Sequence, residues 1–503
     1  MPRTTLAIAL AAVMLAAGMA LGQSGPPLTP ETYPARGPAR QPVPRVVERV
    51  PVVIVPPLAY AFGSSPVSPF TAGRVEGAHV FADPPAAERA RRIGYGRPRP
   101  GSGTRFKESV DAQVKSAADL RGLVILQIGD SHTAIDQFSG ELRRRLQAAY
   151  GDGGAGYFAA GKPNIGVRAS PLKISTTVGW TYQSLQAAPD GGGFLLSGFN
   201  AIAVGAGESM TFSAETPIAF DRIEIEALRG PGGGAIDIRL DGVLESQFAL
   251  AAGKAEPVVI RLVPERVDRL REITITTRGE GTVKIASVAV YNKSFGLSYN
   301  AVGYPGATID ILNKLDSKTF ADEFTRLSPQ IVVLAFGTNE GFNDGLDLER
   351  YVQGYERVVQ KIRAVLPGAS IVVVSPPNAN RLPATCKGEG QKAACRRAGA
   401  EPETSPKNGN GACVWQTPPQ LDRVREAQRA IAERHRLAWW NWASMMADAC
   451  GAHEWALMTP PLIARDHVHF TPDGYRKSAG QFMQTLLPII EKLRAPRDVV
   501  SHD

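Results

Sequence analysis

Four short stretches of this 503-residue chain hold side chains that could act on an ester. The first is Gly129-Asp130-Ser131-His132-Thr133. A serine hydroxyl is a weak nucleophile until a base takes its proton, and imidazole titrates close enough to neutrality to do so. A base stands near the C-terminus, in Asp466-His467-Val468-His469-Phe470-Thr471-Pro472-Asp473-Gly474-Tyr475. There Asp466 and His469 are three apart on a short loop or turn, so the carboxylate can fix the imidazole tautomer and offset the charge it gains. His467 is the nearest competitor for the role of base. Attack on a carbonyl builds an oxyanion that needs preplaced donors, and two stretches can supply them. Phe336-Gly337-Thr338-Asn339-Glu340 offers the Asn339 amide, and Asn300-Ala301-Val302-Gly303-Tyr304-Pro305-Gly306-Ala307-Thr308 offers a backbone N–H at Gly306, with Gly303 as its rival. Taken singly, each stretch also fits a plainer role, Ser131 or Asp473 as a helix cap and Asn339 in an ordinary turn.

These residues need a frame. Leu123-Val124-Ile125-Leu126-Gln127-Ile128 is a continuous apolar run suited to a buried parallel strand, and Ser131 follows it directly. Helical spacing is expected over 136–150. The pattern returns with an apolar run at 331–336, a helix over 347–366, a run at 371–374, and helices over 420–436 and 474–493. Strands alternating with helices mean an α/β domain with a parallel sheet, whose ligands sit at the carboxyl ends of the strands. Between 169 and 294 the texture changes. Phe220-Asp221-Arg222-Ile223-Glu224-Ile225, Ala235-Ile236-Asp237-Ile238-Arg239-Leu240 and Glu272-Ile273-Thr274-Ile275-Thr276-Thr277 alternate in period two, with turn clusters such as Gly230-Pro231-Gly232-Gly233-Gly234 between them. An antiparallel β-sandwich or jelly roll, inserted into the α/β domain, is expected there.

In this order the four stretches resemble the SGNH (GDSL-like) hydrolase family. The resemblance implies a flavodoxin-like three-layer α/β/α fold with Ser131 as nucleophile, His469 as base and Asp466 as its orienter. The Ser131 N–H, the Gly306 N–H and the Asn339 side chain would form the oxyanion hole. His132 departs from the family, which often has leucine there. The extended Gly129-Asp130-Ser131-His132-Thr133-Ala134-Ile135-Asp136 block, with a β domain placed after it, is similar to two-domain bacterial peptidoglycan O-acetylesterases. That likeness implies removal of acetyl groups from the muramic acid C6 hydroxyl. The insert would then bind sugar or wall the active-site cleft.

The expected organisation is a signal peptide over 1–22, a Pro-rich arm over 23–105, hydrolase segments over 106–168 and 295–494 around the insert at 169–294, and a tail over 495–503. The N-terminal run from Leu6 to Leu21 ends in Ala20-Leu21-Gly22, small residues where a signal peptidase needs them, with a retained membrane anchor as the alternative. From Ser24 to Pro100 lie 16 of the 39 prolines, which favour an extended tether. Apolar pieces of it such as Val52-Val53-Ile54-Val55 could pack on the body. Cys386, Cys395, Cys413 and Cys450 suit two disulfides of an exported protein, in any of the three pairings, pinning a surface loop near the cleft. A zinc site is the rival, without any Cys-x-x-Cys pair to support it.

Hydrophobic residues make up 44% and charged ones 21%, which excludes wholly disordered and collagen-like classes. The net charge of +8 has no basic block behind it, so no nucleic-acid partner is expected. Neither a phosphate loop, a dinucleotide fingerprint nor a His/Cys cluster occurs, so no cofactor or metal is expected. Arg143-Arg144-Arg145 reads as a solvated helix face. Trp439-Trp440-Asn441-Trp442 reads as core, with stacking on sugar as the alternative, and Trp180 and Tyr182 allow either. The expected activity is that of an exported, periplasmic serine esterase without a membrane span once the signal is cleaved. It would act on O-acetylated polysaccharide of the cell wall. An O-acetyltransferase with the same triad, or a silent wall-binding protein, are the alternatives.

Overall fold

The apolar runs pair with one another. β1 (Val124–Gly129), β2 (Ser298–Gly303), β3 (Ile331–Ala335), β4 (Ser370–Ser375) and β5 (Ala438–Asn441) form one all-parallel sheet in the order β2-β1-β3-β4-β5. The computed structural model describes residues 52–55, 122–264, 268–294, 296–383, 386, 393–396 and 413–494. The expected signal peptide, most of the Pro-rich arm, residues 106–121 and the tail lie outside them.

Both faces of this sheet are covered, which is why its strands read as continuous apolar runs rather than alternating ones. Leu126, Ile128, Val332, Leu334 and Val373 point into one core. Ile125, Val333, Val372 and Val374 point into the other. Helices α1 (Phe138–Tyr150) and α5 (Pro472–Arg494) cover the second face through Phe138, Leu142, Tyr475 and Phe482. Helices α2 (Ser317–Leu327), α3 (Leu348–Val365) and α4 (Gln420–Arg434) cover the first. Asp316 and Asp347 start α2 and α3 by accepting the Thr319 and Arg350 N–H groups, which otherwise lack intrahelical partners. This is the flavodoxin-like three-layer α/β/α arrangement expected from the sequence. Trp440 and Trp442 are buried against Phe138, with Trp442 at 4.6 Å between ring centroids, so these two tryptophans of the cluster are core.

Between β1 and β2 the chain builds two antiparallel sheets around a separate apolar core. The period-two strands Arg222–Arg229, Ala235–Leu240 and Asp268–Arg278 send Ile223, Ile225, Ile236, Ile238, Ile273 and Ile275 into it. Trp180 is buried in the same core, whereas Tyr182 is half-buried and its hydroxyl accepts the Lys162 N–H. The first antiparallel strand, Gly156–Ala159, pairs with Val283–Tyr291 ahead of the expected start at 169. Val52–Val55, from the Pro-rich stretch, adds a parallel strand beside Glu256–Leu262 at the sheet's edge.

This β unit shares apolar packing with the α/β layer, where Tyr157, Leu196 and Tyr291 join a core that includes Phe320 and Phe324 of α2. Arg326 of α2 ties the same junction by charge. It donates to Glu224 Oε2 at 2.8 Å and also to Glu226 and Glu323. Glu226 in turn accepts the Tyr157 hydroxyl at 2.7 Å and the Ser287 hydroxyl at 2.5 Å.

Arg143 corrects the expected solvated face of α1. Its side chain is buried, its Nε donates to the Tyr299 carbonyl at 2.9 Å, and its two terminal nitrogens reach the Asp136 carboxylate at 3.2 Å each. Arg144 and Arg145 behave as expected and pair with Glu141 near the surface. A run of like charges reports local sequence only, and Arg143 finds a strand carbonyl far along the chain.

Candidate active site

In a 2-1-3-4-5 sheet the connections leave in opposite directions at β1 and β3, which opens a crevice at their carboxyl ends. Ser131 follows β1, Asn339 follows β3 and Gly306 follows β2, so topology alone brings three of the sequence stretches to one rim. The turn out of β1 is tight. A Cβ on Gly129 would lie 2.4 Å from the Ala335 carbonyl oxygen and 2.3 Å from Thr133 Oγ1, so only glycine passes there. Asp130 then caps the single helical turn Ser131–Ala134 by accepting the His132 N–H at 3.0 Å.

The loop before α5 brings the other half. His467 takes a left-handed φ of 57°, which folds the loop so that Asp466 Oδ1 accepts both the Val468 and the His469 N–H at 3.0 Å. Asp466 Oδ2 lies 2.6 Å from His469 Nδ1, and His469 Nε2 lies 2.9 Å from Ser131 Oγ. With Nδ1–H directed at the carboxylate, Nε2 is left to accept the serine proton, the tautomer assigned from these bonds. The serine–histidine–aspartate constellation expected from the sequence is thus assembled in space.

Electrostatics follow the contacts. Burial works to raise the Asp466 carboxyl, but bonds from the His469 ring and from the Val468 and His469 N–H groups outweigh it and hold it down at about 2. The bond to Asp466 raises His469 above the ordinary imidazole value, against partial desolvation. Asp130 is pushed up to about 6 by burial, countered by bonds from His132 N–H and Thr338.

His132 packs beside His469. Its ring is 5.3 Å from those of His469 and Trp442, its Nδ1 is 3.0 Å from the Tyr475 hydroxyl, and burial drives it down to about 3, so it stays neutral. His467, the rival base, turns away from Ser131 and stacks on Trp415 at 3.6 Å between centroids. Trp415 is held by backbone bonds with Ala394 and Arg396, on either side of Cys395. The disulfides are Cys386–Cys413 and Cys395–Cys450, which settles the pairing and excludes the four-cysteine zinc alternative. The second bridge therefore anchors the strip that carries Trp415 and supports the loop between Asp466 and His469.

The oxyanion candidates are also tied together. Asn339 Nδ2 donates to the Ala307 carbonyl at 2.8 Å, which fixes the side chain beside Gly306 and leaves its second N–H free of any described bond. Gly306 has a φ of 77° and is exposed, and neither its N–H nor that of Ser131 donates to any group among the described residues. Gly303 is the closing residue of β2, laddered to Gly129, and a Cβ there would meet Ala134 N at 2.1 Å. It serves close packing. The roles of Asp130, Thr338 and Glu340 in joining these turns were not singled out from the sequence, although each sits inside a stretch that was.

Residues 285–477 match the GDSL-like lipase/acylhydrolase family. The match takes in Gly306, Asn339, Asp466 and His469, and Ser131 lies ahead of it, separated from the matched residues by the antiparallel sheets. A solved structure described as a peptidoglycan O-acetylesterase is similar at a TM-score of 0.57 and 25% identity, covering 78% of this chain and 97% of that one. Family two carbohydrate esterases from Clostridium thermocellum and Cellvibrio japonicus match at 11% and 13% identity, covering 64% and 67% of this chain and 99% and 98% of theirs, with TM-scores of 0.26 and 0.24 that add nothing to the argument. No curated protein matches the chain. The family match and the peptidoglycan O-acetylesterase neighbour support a hydrolytic esterase.

Proposed function

We propose that this esterase removes O-acetyl groups from an acetylated polysaccharide of the cell envelope, with the muramic acid C6 acetyl of peptidoglycan as the favoured substrate. The observation that carries the chemistry is the unbroken chain of contacts from Asp466 through His469 to Ser131 Oγ, at 2.6 and 2.9 Å. The substrate class rests on the similarity to the peptidoglycan O-acetylesterase structure. Export is supported by the two disulfides, since such bonds persist in oxidising compartments. No described helix is long and apolar enough to cross a membrane.

In the proposed cycle His469 Nε2 takes the Ser131 proton as Oγ attacks the acetyl carbonyl. The oxyanion of the tetrahedral intermediate is held by the N–H groups of Ser131 and Gly306 and by the Asn339 amide. Collapse expels the sugar oxygen, which takes the proton from His469 and leaves acetyl-Ser131. Water, deprotonated by His469, attacks that ester, and acetate departs as the proton returns to Ser131. Asp466 stays ionised throughout and stabilises the imidazolium.

The test is acetate release from O-acetylated peptidoglycan by wild type, Ser131→Ala and His469→Ala, with O-acetylated xylan and nitrophenyl acetate alongside. Release from peptidoglycan that depends on both residues is the expected result. Cleavage of the small ester alone would move the substrate to another glycan or the reaction to acetyl transfer. A folded wild type that cleaves nothing would overturn the catalytic reading.

A further inference from the structure

We propose that Glu340 is a positioning residue that locks the Gly306 turn against the Asn339 turn, so that the two donors keep one spacing. The inference rests on the reading of those groups as the oxyanion hole. Two consecutive side chains grip the same loop from the end of β3. Asn339 Nδ2 donates to the Ala307 carbonyl at 2.8 Å, and Glu340 Oε1 accepts the Ile309 N–H at 2.9 Å. Between them they hold both backbone groups flanking Thr308, immediately after Gly306. Thr338, one residue earlier, bonds Asp130 beside the nucleophile. The three side chains at 338–340 thus connect the serine turn, the glycine turn and the Asn339 turn in one run.

The carboxyl of Glu340 is 1% exposed, and its Oε2 has no hydrogen-bond partner among the described residues. It faces Asp130 from the nucleophile turn, Asp310 from the glycine loop, and Tyr351 and Tyr355 from α3. Burial first, with the Asp130 and Asp310 charges adding to it, pushes the group up to about 8, against the Ile309 bond. At neutral pH it therefore holds Ile309 as an uncharged acid. Ionisation would place a negative charge among carboxylates and next to Asn339, where it opposes the charge that develops on the substrate oxygen. Relief of that buried charge requires the side chain to move, which releases Ile309.

The experiment measures kcat and KM for nitrophenyl acetate from about pH 6 to about pH 10, across the range where a group raised to this extent titrates. Wild type, E340Q, E340A, N339A and the N339A/E340A double variant are compared. E340Q keeps the acceptor for Ile309 and cannot ionise, so it is expected to restore most of the neutral-pH kcat and to lack the wild-type decline near pH 8. E340A is expected to lower kcat by about tenfold or more with KM changed by less than about threefold, the split for a group that acts only in the transition state. In the N339A background the added cost of E340A should shrink, because both act through one hole. An E340Q profile with the wild-type alkaline decline, or a full added cost in the double variant, overturns the proposal. N339A with undiminished kcat overturns the hole itself, a separate failure. Thermal midpoints give a readout that needs no substrate and serve if E340A does not fold. A carboxyl raised in the native state contributes stability below its ordinary value of about 4.5 that is lost as pH rises through about 8. Wild type should then lose more than E340Q between about pH 7 and about pH 9. Equal losses overturn the buried neutral acid.

Discussion

The catalytic loop and the junction between the two units both join carboxylates to cationic or titrating side chains, yet they are built to opposite ends. The Asp466 and His469 side chains are 48% and 36% exposed, and each ring nitrogen of His469 has a single partner. Arg326 at the junction is 12% exposed and reaches three carboxylates, Glu224, Glu226 and Glu323, which are 6% exposed or less. Burial raises the Glu323 carboxyl, with the Glu226 charge adding to it. Arg326 itself is raised by its acidic neighbours in spite of desolvation. A crowded, dry network holds one protonation state and one geometry. A small, half-open pair can exchange a proton each turnover. On the proposed mechanism, function resides in the sparser of the two arrangements.

The strongest way to break this contrast is to remove the triad and watch stability. Ser131→Ala or His469→Ala should cut ester hydrolysis by a factor on the order of 10³ or more while the thermal midpoint moves by only a few degrees, since triad members act as a unit and their exposed side chains contribute little to folding. Turnover assays beside a melting curve would check both halves, and a large loss of stability would erase the distinction.

Asp466→Asn comes next. It should lower kcat by up to about 10⁴-fold and also move the acid limb of kcat/KM. In wild type that limb should lie above about pH 6.5, because His469 is raised and must be neutral to act. Without the carboxylate it should shift to lower pH. An unshifted limb would show that another group governs the profile.

Arg326→Ala should do the reverse of the triad variants. Leaving buried carboxylates uncompensated costs about 3–5 kcal/mol of stability, while kcat at a temperature well below the new midpoint should stay within about twofold. Chemical denaturation and turnover on the same preparation would decide it. The smallest effect is expected at Trp415→Ala, which removes the surface on which His467 stacks. A loss of about three- to tenfold in kcat with little change in KM is expected, as for a group that acts by holding the base in place. No change would show that the left-handed turn at His467 holds without its support.

What could be read in advance follows the same division. The central strands announce themselves because burial on both faces leaves Ile331-Val332-Val333-Leu334-Ala335 without a polar residue, and the triad stretches carry residue types that ester chemistry demands at short spacing. Contacts between distant residues are where local reading stops. Gly156–Ala159 is four residues with no alternation to mark it as a strand, and it is defined by its partner Val283–Tyr291. Arg143 looks solvated beside Arg144 and Arg145 until the Tyr299 carbonyl and Asp136 are placed around it. The four cysteines admit three pairings on paper, and only the folded chain, which brings Cys386 to Cys413 and Cys395 to Cys450, selects one. Glu340 looks like any charged residue after a turn until its surroundings prove dry.

The proposed nucleophile and its proposed base are separated by 338 positions. Ribosomes deliver Ser131 early and His469 late, so a growing or prematurely ended chain that lacks the last stretch carries an unactivated hydroxyl. On the proposed reading, hydrolytic competence therefore waits for the C-terminal stretch, whose helix α5 packs with α1 in the second core. Proteolytic loss of the chain from Asp466 onward would remove the proposed base without touching the serine.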